Sequence, residues 1–141
     1  MFTVIVTGSR DYEDSKKVYG TLDTILRVHE NILVKVGDCP TGVDLYTTNW
    51  HNETFGFDPI IYHADWDTHG KAAGPIRNHT MVDSGADLCI ALPLASSRGT
   101  KDCAKYASKK LMHVWFPDLP DWALWASDIA SFHYHKGSKN G

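Results

Sequence analysis

The stretch FTVIVT, from Phe2 to Thr7, decides the fold, because this uncharged run leads directly into Gly8-Ser9-Arg10. A near-continuous apolar run is typical of a strand that is buried on both faces of a parallel sheet. Four more short apolar runs follow, separated by segments of helical period. The predicted strands are Phe2 to Thr7, Asn31 to Val36, Pro59 to Tyr62, Leu88 to Leu92 and Leu111 to Phe116. This alternation predicts a three-layer α/β/α fold with a five-stranded, mostly parallel sheet.

The runs differ in how apolar they are, which predicts their places in the sheet. The first, fourth and fifth are nearly continuous, so we expect them to be covered on both faces, whereas the second and third look more peripheral. Between the first two runs, a stripe at helical spacing predicts a helix capped by Asp14 or Ser15. The stripe comprises Val18, Leu22, Ile25, Leu26 and His29. Further helices are predicted after Gly42, with Val43, Tyr46, Trp50 and Thr54 inward, from Pro75 to Asp83, and from Gly99 or Thr100 to Lys110.

The composition is that of one globular domain. The 141 residues carry 14 Lys plus Arg against 17 Asp plus Glu, a net charge of −3, and 43% of them are hydrophobic. A pI near 6.2 without a basic run argues against a binder of duplex DNA or of anionic membranes. No apolar run approaches the ~18 residues of a membrane span and no signal peptide is visible, so we expect a cytoplasmic protein. Three cysteines without zinc or disulfide spacing fit a reducing compartment.

Glycine and arginine concentrate where the predicted strands end. In an open parallel sheet, ligands bind outside the carboxyl ends of the strands, and this rule selects four loops. The loops are Thr7 to Asp11, Gly37 to Asp44, His63 to Asn78 and Pro93 to Thr100. Glycine allows a backbone to approach a ligand closely, and an arginine fork matches phosphate or carboxylate oxygens. Because Arg10, Arg77 and Arg98 all fall in these loops, we predict an anion site of phosphate type.

Other chemistry is less well supported by the spacing. Lys71 is followed by Ala72 rather than Ser or Thr, which excludes a Walker A loop, and the loop after the first strand has one glycine where G-x-G-x-x-G needs three. The alternating His63, Asp65, Asp67 and His69 do not surround an ion by spacing alone, so we predict no metal and no cofactor. Cys103 fits helix packing better than a nucleophile. The candidates for acid–base or ribose contacts, or equally for helix caps and turns, are Asp38, Asp44 and Asp102.

The order of the sequence blocks resembles a known family. The blocks are VIVTGSRDY (Val4 to Tyr12), GDCPTGVD (Gly37 to Asp44), ADW (Ala64 to Trp66), GKAAGPIRN (Gly70 to Asn78), GADLCIALPL (Gly85 to Leu94) and SRGTKDC (Ser97 to Cys103). Together they are similar to the YspA-like branch of the SLOG superfamily, which is common in bacteria and bacteriophages. The resemblance implies a Rossmann-like fold that binds a nucleotide or a nucleotide-derived ligand such as an ADP-ribose derivative. One implied use is to sequester a signalling nucleotide as a phage anti-defence protein.

The related LOG phosphoribohydrolases cleave nucleoside 5′-monophosphates with R-K-x-x-M and P-G-G-x-G-T-x-x-E segments. Here Arg77 and Met81 match the first segment but Asn78 replaces its Lys, and Cys103 stands where the second segment has its catalytic Glu. Because glycosidic hydrolysis needs a carboxylate, the resemblance favours binding over catalysis. One alternative is a phosphoribohydrolase-type enzyme that uses Arg77 with Asp38, Asp44 or Asp102. A second alternative is a single-stranded DNA-binding module.

The loops and the resemblance together predict the ligand contacts. We expect Arg77, Arg98 and the backbone of Ser97 to Thr100 to hold the phosphate. The full predicted set is Gly8, Ser9, Arg10, Gly37, Asp38, Gly42, Asp44, Asp65, Trp66, Lys71, Arg77, Asn78, Ser97, Arg98, Gly99 and Thr100.

The chain changes character after the fifth run. We predict a SLOG domain over residues 1–116 and an aromatic extension over residues 117–141 that packs on this domain or on a neighbouring subunit. The aromatic residues of the final quarter include Trp115, Phe116, Trp122, Trp125, Phe132 and Tyr134. Since a monomer rarely leaves a large apolar patch in water, we predict a homo-oligomer, a dimer or larger.

Overall fold

A computed structural model describes residues 1–118 and contains the predicted alternation of strands and helices. The strands are β1 (Phe2–Gly8), β2 (Ile32–Gly37), β3 (Ile60–Tyr62), β4 (Leu88–Leu92) and β5 (His113–Trp115). The helices are α1 (Ser15–His29), α2 (Gly42–Phe55), α3 (Trp66–His69), α4 (Ala73–Asp83) and α5 (Arg98–Lys109). A 3₁₀ turn over Gly70–Ala72 connects α3 to α4.

The strands form one sheet in the order β3-β2-β1-β4-β5, and all neighbouring pairs are parallel. Because side chains alternate along a strand, Val4 and Val6 pack with α1 and α2 on one face, whereas Ile5 packs with α4 and α5 on the other. The predicted Rossmann-like α/β/α fold is therefore confirmed. The chain builds outward from β1 to β3 and then from β4 to β5, so the strand order reverses between β1 and β4.

The expected places of two strands were wrong. Lys35 interrupts the apolar run of β2 and made it look peripheral, yet β2 lies between β1 and β3 and is almost entirely buried. The Lys35 amine is satisfied inside the protein, because it donates to the Oγ of Ser84 at 2.9 Å and to the carbonyl of Gly85 at 2.6 Å. In contrast, β5 is a three-residue edge strand with His113 exposed, although its apolar run predicted cover on both faces.

The helices keep most of their predicted stripes, but His29, which belonged to the predicted stripe of α1, is exposed. Asp14 caps α1 as predicted, since its carboxylate accepts the backbone N–H of Lys17 at 3.0 Å. Thr54, which we expected to face inward, is exposed although it lies on the same face of α2 as Thr47 and Trp50, because it stands in the last turn of the helix. The short α3 and the 3₁₀ turn were not predicted; they lie in the polar loop after β3.

The described chain ends beside the first loop. The carboxylate of Asp118 accepts a hydrogen bond from the Tyr12 hydroxyl at 2.8 Å, and burial together with this bond raises the pKa of Tyr12 far above its usual value. The aromatic residues Trp122, Trp125, Phe132 and Tyr134, on which the predicted extension and homo-oligomer depend, lie outside the described residues. Within residues 1–118, none of the helices has the length and apolar character needed to cross a bilayer.

Candidate ligand-binding cleft

The four predicted loops meet at the carboxyl edge of the sheet and line a cleft of about 680 Å³. The loops after β1 and β4 flank the point where the strand order reverses, which is where open α/β sheets bind ligands. Every residue of the predicted set except Gly42 and Asp65 lines the cleft. Small-molecule sites span roughly 300–1,000 Å³, so a nucleotide-sized ligand is compatible with this volume.

Gly42 and Asp65 shape the loops without lining the cleft. Gly42 has a φ of +69°, and a Cβ atom there would lie 2.2 Å from the carbonyl oxygen of Ser9. The same oxygen accepts the N–H of Val43 at 3.1 Å, so the glycine lets the loops after β1 and β2 pack against each other. Asp65 caps α3, and its hydrogen bonds from Thr68 lower its pKa.

Several lining residues were missing from the predicted set. They are Val6, Thr7, Asp11, Cys39, Pro40, Gly74, Pro75, Met81 and Ser96. Most of them lie inside the four selected loops, so a prediction of whole loops would have included them. Val6 and Met81 lie outside those loops: the match of Met81 to the R-K-x-x-M segment could have indicated it, whereas only the fold brings Val6 to the cleft.

One side of the cleft is a buried corner formed by Gly37, Asp38, Asp44 and Arg77. The Nη1 of Arg77 donates to the Oδ1 of Asp38 at 2.7 Å, and its side chain is only 11% exposed. A Cβ atom on Gly37 would lie 2.7 Å from both the Arg77 Nη1 and the Asp44 Oδ2. The missing side chain therefore allows these charged groups to approach one another.

The hydrogen bonds of the corner use most of its polar atoms. Arg77 also donates from Nη1 to the Tyr62 carbonyl at 3.3 Å and from Nε to the Oδ1 of Asn78 at 2.7 Å, which leaves only its Nη2 without an acceptor among residues 1–118. The Oδ2 of Asp38 faces the Nδ1 of His63 at 3.2 Å and accepts the N–H of Ala64 at 3.3 Å. Arg77 and Asp38 are thus held in place before any ligand arrives.

Asp44 is the member of the corner that keeps an unused oxygen. It lies in the first turn of α2, is 8% exposed, and accepts the backbone N–H of Cys39 on Oδ2 at 3.1 Å. In the described part of the chain, nothing donates to its Oδ1. Burial raises the pKa of Asp44 to about 6, although the Cys39 bond and the Arg77 charge oppose the rise. Its carboxyl therefore changes charge close to neutral pH.

Three exposed cations form a second feature, the cationic rim of Arg10, Lys71 and Arg98. None of these three side chains makes an ion pair or a hydrogen bond to any residue between 1 and 118. Helix α5 begins at Arg98, and the backbone N–H groups of Gly99 and Thr100 likewise have no acceptor in this range. Free N–H groups and the positive end of a helix dipole attract anions.

Two further polar side chains are mostly buried yet keep free atoms. Thr100 is 4% exposed with an unpaired hydroxyl, and the Nδ2 of Asn78 is also unpaired as far as residues 1–118 are concerned. Of the side-chain polar atoms in the described chain, only the Oγ1 of Thr47 is both fully buried and unpartnered. The free atoms of Asp44, Asn78 and Thr100 therefore reach solvent, and all three residues line the cleft.

Trp66 adds an aromatic surface to the cleft. The residue is 49% exposed, and a Cβ atom on Gly74 would lie 3.4 Å from the Cη2 of its indole. Helix α4 therefore supports the ring through a residue with no side chain. A half-exposed indole is well suited to contact an aromatic ligand group.

The remaining candidates lie elsewhere. Asp102 pairs with the Nε2 of His79 at 3.0 Å and does not line the cleft. Cys103 is completely buried beside Cys89, whose pKa is raised by the hydrogen bond between the two and by burial, so Cys103 is a packing residue. Cys39 is partly exposed and lines the cleft. Among residues 1–118, no cluster of three or more His, Cys, Asp or Glu side chains is placed to hold a metal ion.

Fold and cleft together define a Rossmann-like α/β protein with a polar cleft at its topological switch point. Residues 2–69 match the YspA, cpYpsA-related SLOG family. The Gene 61 protein of Mycobacterium phage D29 is 39% identical over an alignment of 113 residues that covers 77% of this chain and 90% of that relative. The chain therefore belongs to the YspA, cpYpsA-related SLOG family, as its motifs predicted, and this membership suggests a nucleotide ligand. No solved structure shows significant similarity to the chain.

Proposed function

We propose that the protein binds a phosphate-bearing nucleotide or a nucleotide-derived ligand such as an ADP-ribose derivative. The observation that carries this proposal is the cationic rim: Arg10, Lys71 and Arg98 surround the cleft and make no ion pair within residues 1–118. Arginine and lysine side chains attract phosphate oxygens, and here the free charges border a cleft of suitable size. An anionic ligand satisfies them.

The phosphate binds at the amino end of α5. The free N–H groups of Gly99 and Thr100, the Thr100 hydroxyl and the Arg98 guanidinium provide donors of the kinds that bind phosphate. Arg77 contributes chiefly by holding Asp38 and Asn78 in position. The nucleobase contacts Trp66. The exposed indole ring offers a face on which a base can stack, and stacking does not require one particular base.

A thermal-shift series tests this proposal. Wild-type protein is heated with adenosine, AMP, ADP-ribose and cyclic ADP-ribose, and a ligand at about 100 times its Kd adds about 2.7 kcal/mol to the free energy of unfolding. We expect stabilisation by phosphorylated compounds and little by adenosine. Arg98→Ala should lower the shift to half or less, and Arg27→Ala, which deletes an arginine outside the cleft at the end of α1, should retain it. A shift that is equal for adenosine and AMP would contradict a phosphate site.

A phosphoribohydrolase-type reaction is the second candidate, and one observation favours it. The pKa of Asp44, near 6, is close to the working pH of a general acid or base, and Asp44 lies with Asp38 and Arg77 in the cleft. Incubation with nucleoside monophosphates and ADP-ribose, followed by chromatography, separates the candidates. Free base in the product supports the enzyme, whereas intact ligand recovered from the denatured protein supports binding alone.

Recovery of intact ligand is also what a sequestering role requires. The similar protein of a mycobacterial phage makes sequestration of a host signalling nucleotide a reasonable role for this chain, because a binder without hydrolysis lowers the free concentration of its ligand. Expression of the protein in infected cells that carry a nucleotide-signalling defence tests the role. We expect phage yield to rise with the wild type and to stay low with Arg98→Ala.

We also propose that the protein acts in the cytoplasm and forms a homo-oligomer. The aromatic residues beyond Asp118 are the reason for the oligomer, since several large apolar side chains in a short segment need cover, which a neighbouring subunit supplies if their own domain does not. Light scattering at tens of micromolar measures the mass directly, and a monomer mass would contradict the proposal. If an oligomer is present, the double variant Trp122→Ala, Trp125→Ala should dissociate it.

A further inference from the structure

We infer that Asp44 reads the sugar of the ligand: its free carboxylate oxygen accepts a hydrogen bond from a ribose 2′-hydroxyl, so that the cleft prefers ribonucleotides to 2′-deoxyribonucleotides. This inference rests on the proposed nucleotide function. It assigns to the buried corner a role that differs from the role of the cationic rim.

The carboxylate of Asp44 is fixed and half used. Its Oδ2 accepts the Cys39 N–H at 3.1 Å, which sets the orientation of the carboxylate, while Oδ1 has no donor within residues 1–118. The residue is 8% exposed and lines the cleft, so little except a ligand or a water molecule can supply the second hydrogen bond. An acceptor held in this way favours a ligand that brings a donor to one position.

The charge around Asp44 indicates which part of a nucleotide lies there. Asp38 and Asp44 both line the cleft, and one arginine, Arg77, lies against both. A phosphate in this corner would face two carboxylates, whereas at the rim it faces unpaired cations. The uncharged, donor-bearing part of the ligand therefore belongs at the corner. In a nucleotide, the group directly bonded to the phosphate that offers hydroxyl donors is the sugar.

An exocyclic amino group of the base is the competing donor. The base contacts Trp66, which begins α3, whereas Asp44 lies in the first turn of α2. The sugar is the portion of a nucleotide that connects the base to the phosphate. A carboxylate accepts a ribose hydroxyl in the same way in dinucleotide-binding folds, where an acidic residue contacts the 2′-hydroxyl. The geometry thus favours the sugar, and the experiment includes a ligand pair that tests the base.

Calorimetric titration with matched nucleotides tests the inference. Wild-type protein is titrated with AMP, 2′-deoxy-AMP and inosine 5′-monophosphate, which lacks the amino group of adenine. We expect AMP to bind about ten- to a hundredfold more tightly than 2′-deoxy-AMP, the size of effect produced by one hydrogen bond to a charged group, and inosine monophosphate to match AMP. In Asp44→Asn, whose amide oxygen still serves the Cys39 N–H, the sugar hydroxyl meets a neutral amide instead of a charged carboxylate, so the preference for AMP over 2′-deoxy-AMP should shrink to a few-fold.

The control and the contrary outcomes keep the two proposals distinct. Asp67→Asn removes an exposed carboxylate that does not line the cleft and should retain the preference for ribose. Equal binding of AMP and 2′-deoxy-AMP to the wild type overturns the inference and leaves the proposed function standing. The same holds if Asp44→Asn weakens both nucleotides by one factor, or if inosine monophosphate alone loses affinity. Failure of these nucleotides, and of ADP-ribose and cyclic ADP-ribose in the thermal-shift series, to bind overturns the proposed function and this inference with it.

Discussion

The buried corner and the cationic rim line one cleft but are built in opposite ways. In the corner, Arg77 and Asp38 are bonded to each other and to Asn78, His63 and backbone groups. In the rim, the side chains of Arg10, Lys71 and Arg98 are exposed and have no partner among residues 1–118. A pre-formed arrangement binds with little loss of conformational entropy, whereas free arginine and lysine side chains must be ordered by the ligand.

The difference assigns a separate task to each region. Exposed cations attract an anion over a distance and lose strength with salt, because solvent and counterions screen them. A desolvated network instead rejects ligands that leave its polar atoms unpaired. The rim therefore accounts for attraction and the corner for discrimination, and the following variants test this division of roles.

The largest effect should come from the glycine that joins the two loops. Gly42→Ala places a side chain at φ +69° and 2.2 Å from the Ser9 carbonyl, so both the β1 loop, which carries Arg10, and the β2 loop, which carries the corner, must move. We expect a loss of roughly 2–4 kcal/mol in the free energy of unfolding, measured with urea. Gly20→Ala, in the middle of α1 with open space around it, should gain roughly 0.5–1 kcal/mol. Equal stability of the two variants would contradict this role for Gly42.

Removal of the central arginine should weaken nucleotide binding without unfolding the protein. Arg77→Ala deletes the ion pair with Asp38 and leaves that carboxylate to His63 and the Ala64 N–H. We expect more than tenfold weaker nucleotide binding, or roughly 1.5–3 kcal/mol, by calorimetry. The exposed Arg27→Ala is the matched control. Unchanged affinity in a folded Arg77→Ala protein would remove the corner from the binding site.

The Asp44 carboxyl should make stability depend on pH. Its pKa rises from 3.8 to about 6 on folding, so the native state binds the proton more tightly and the free energy of unfolding falls as the pH rises from about 4 to about 6. Asp44→Asn removes this cost of a buried charge and should gain roughly 1–3 kcal/mol at pH 7.5 and little at pH 4. Urea titrations of both proteins at the two pH values measure the difference. A gain that is independent of pH would show that the charge is not its cause.

The smallest effect should come from the hydroxyl at the start of α5. Thr100→Val keeps the size of the side chain and the backbone N–H groups but deletes one hydrogen-bonding group, so nucleotide affinity should fall only three- to tenfold. Thr68→Val, on the exposed α3 and outside the cleft lining, provides the control. An effect as large as that of Arg77→Ala would mean that the hydroxyl, rather than the charges, dominates the site.

The sequence predicted where the cleft lies but not how its side chains pair. Glycine and arginine at strand ends mark loops directly, and the sheet topology brings those loops together. Arg77 and Asp38 are 39 residues apart, and the 2.7 Å bond between them exists only because β2 and α4 converge, so no local pattern reports it. The same limit explains β2: a lysine in an apolar run indicates an exposed edge unless a distant partner such as Ser84 receives it.

The position of Cys39 makes the native protein suitable for site-specific labelling. The chain has three cysteines. Cys89 and Cys103 are buried in the core, whereas Cys39 is partly exposed on the cleft surface. A thiol-reactive dye should therefore attach at one place without mutagenesis, within a few residues of the carboxylates that are proposed to contact the ligand. A fluorophore there would respond to occupancy of the cleft, and ligand would slow its attachment. The unmodified chain thus offers a direct optical screen for the compound it binds.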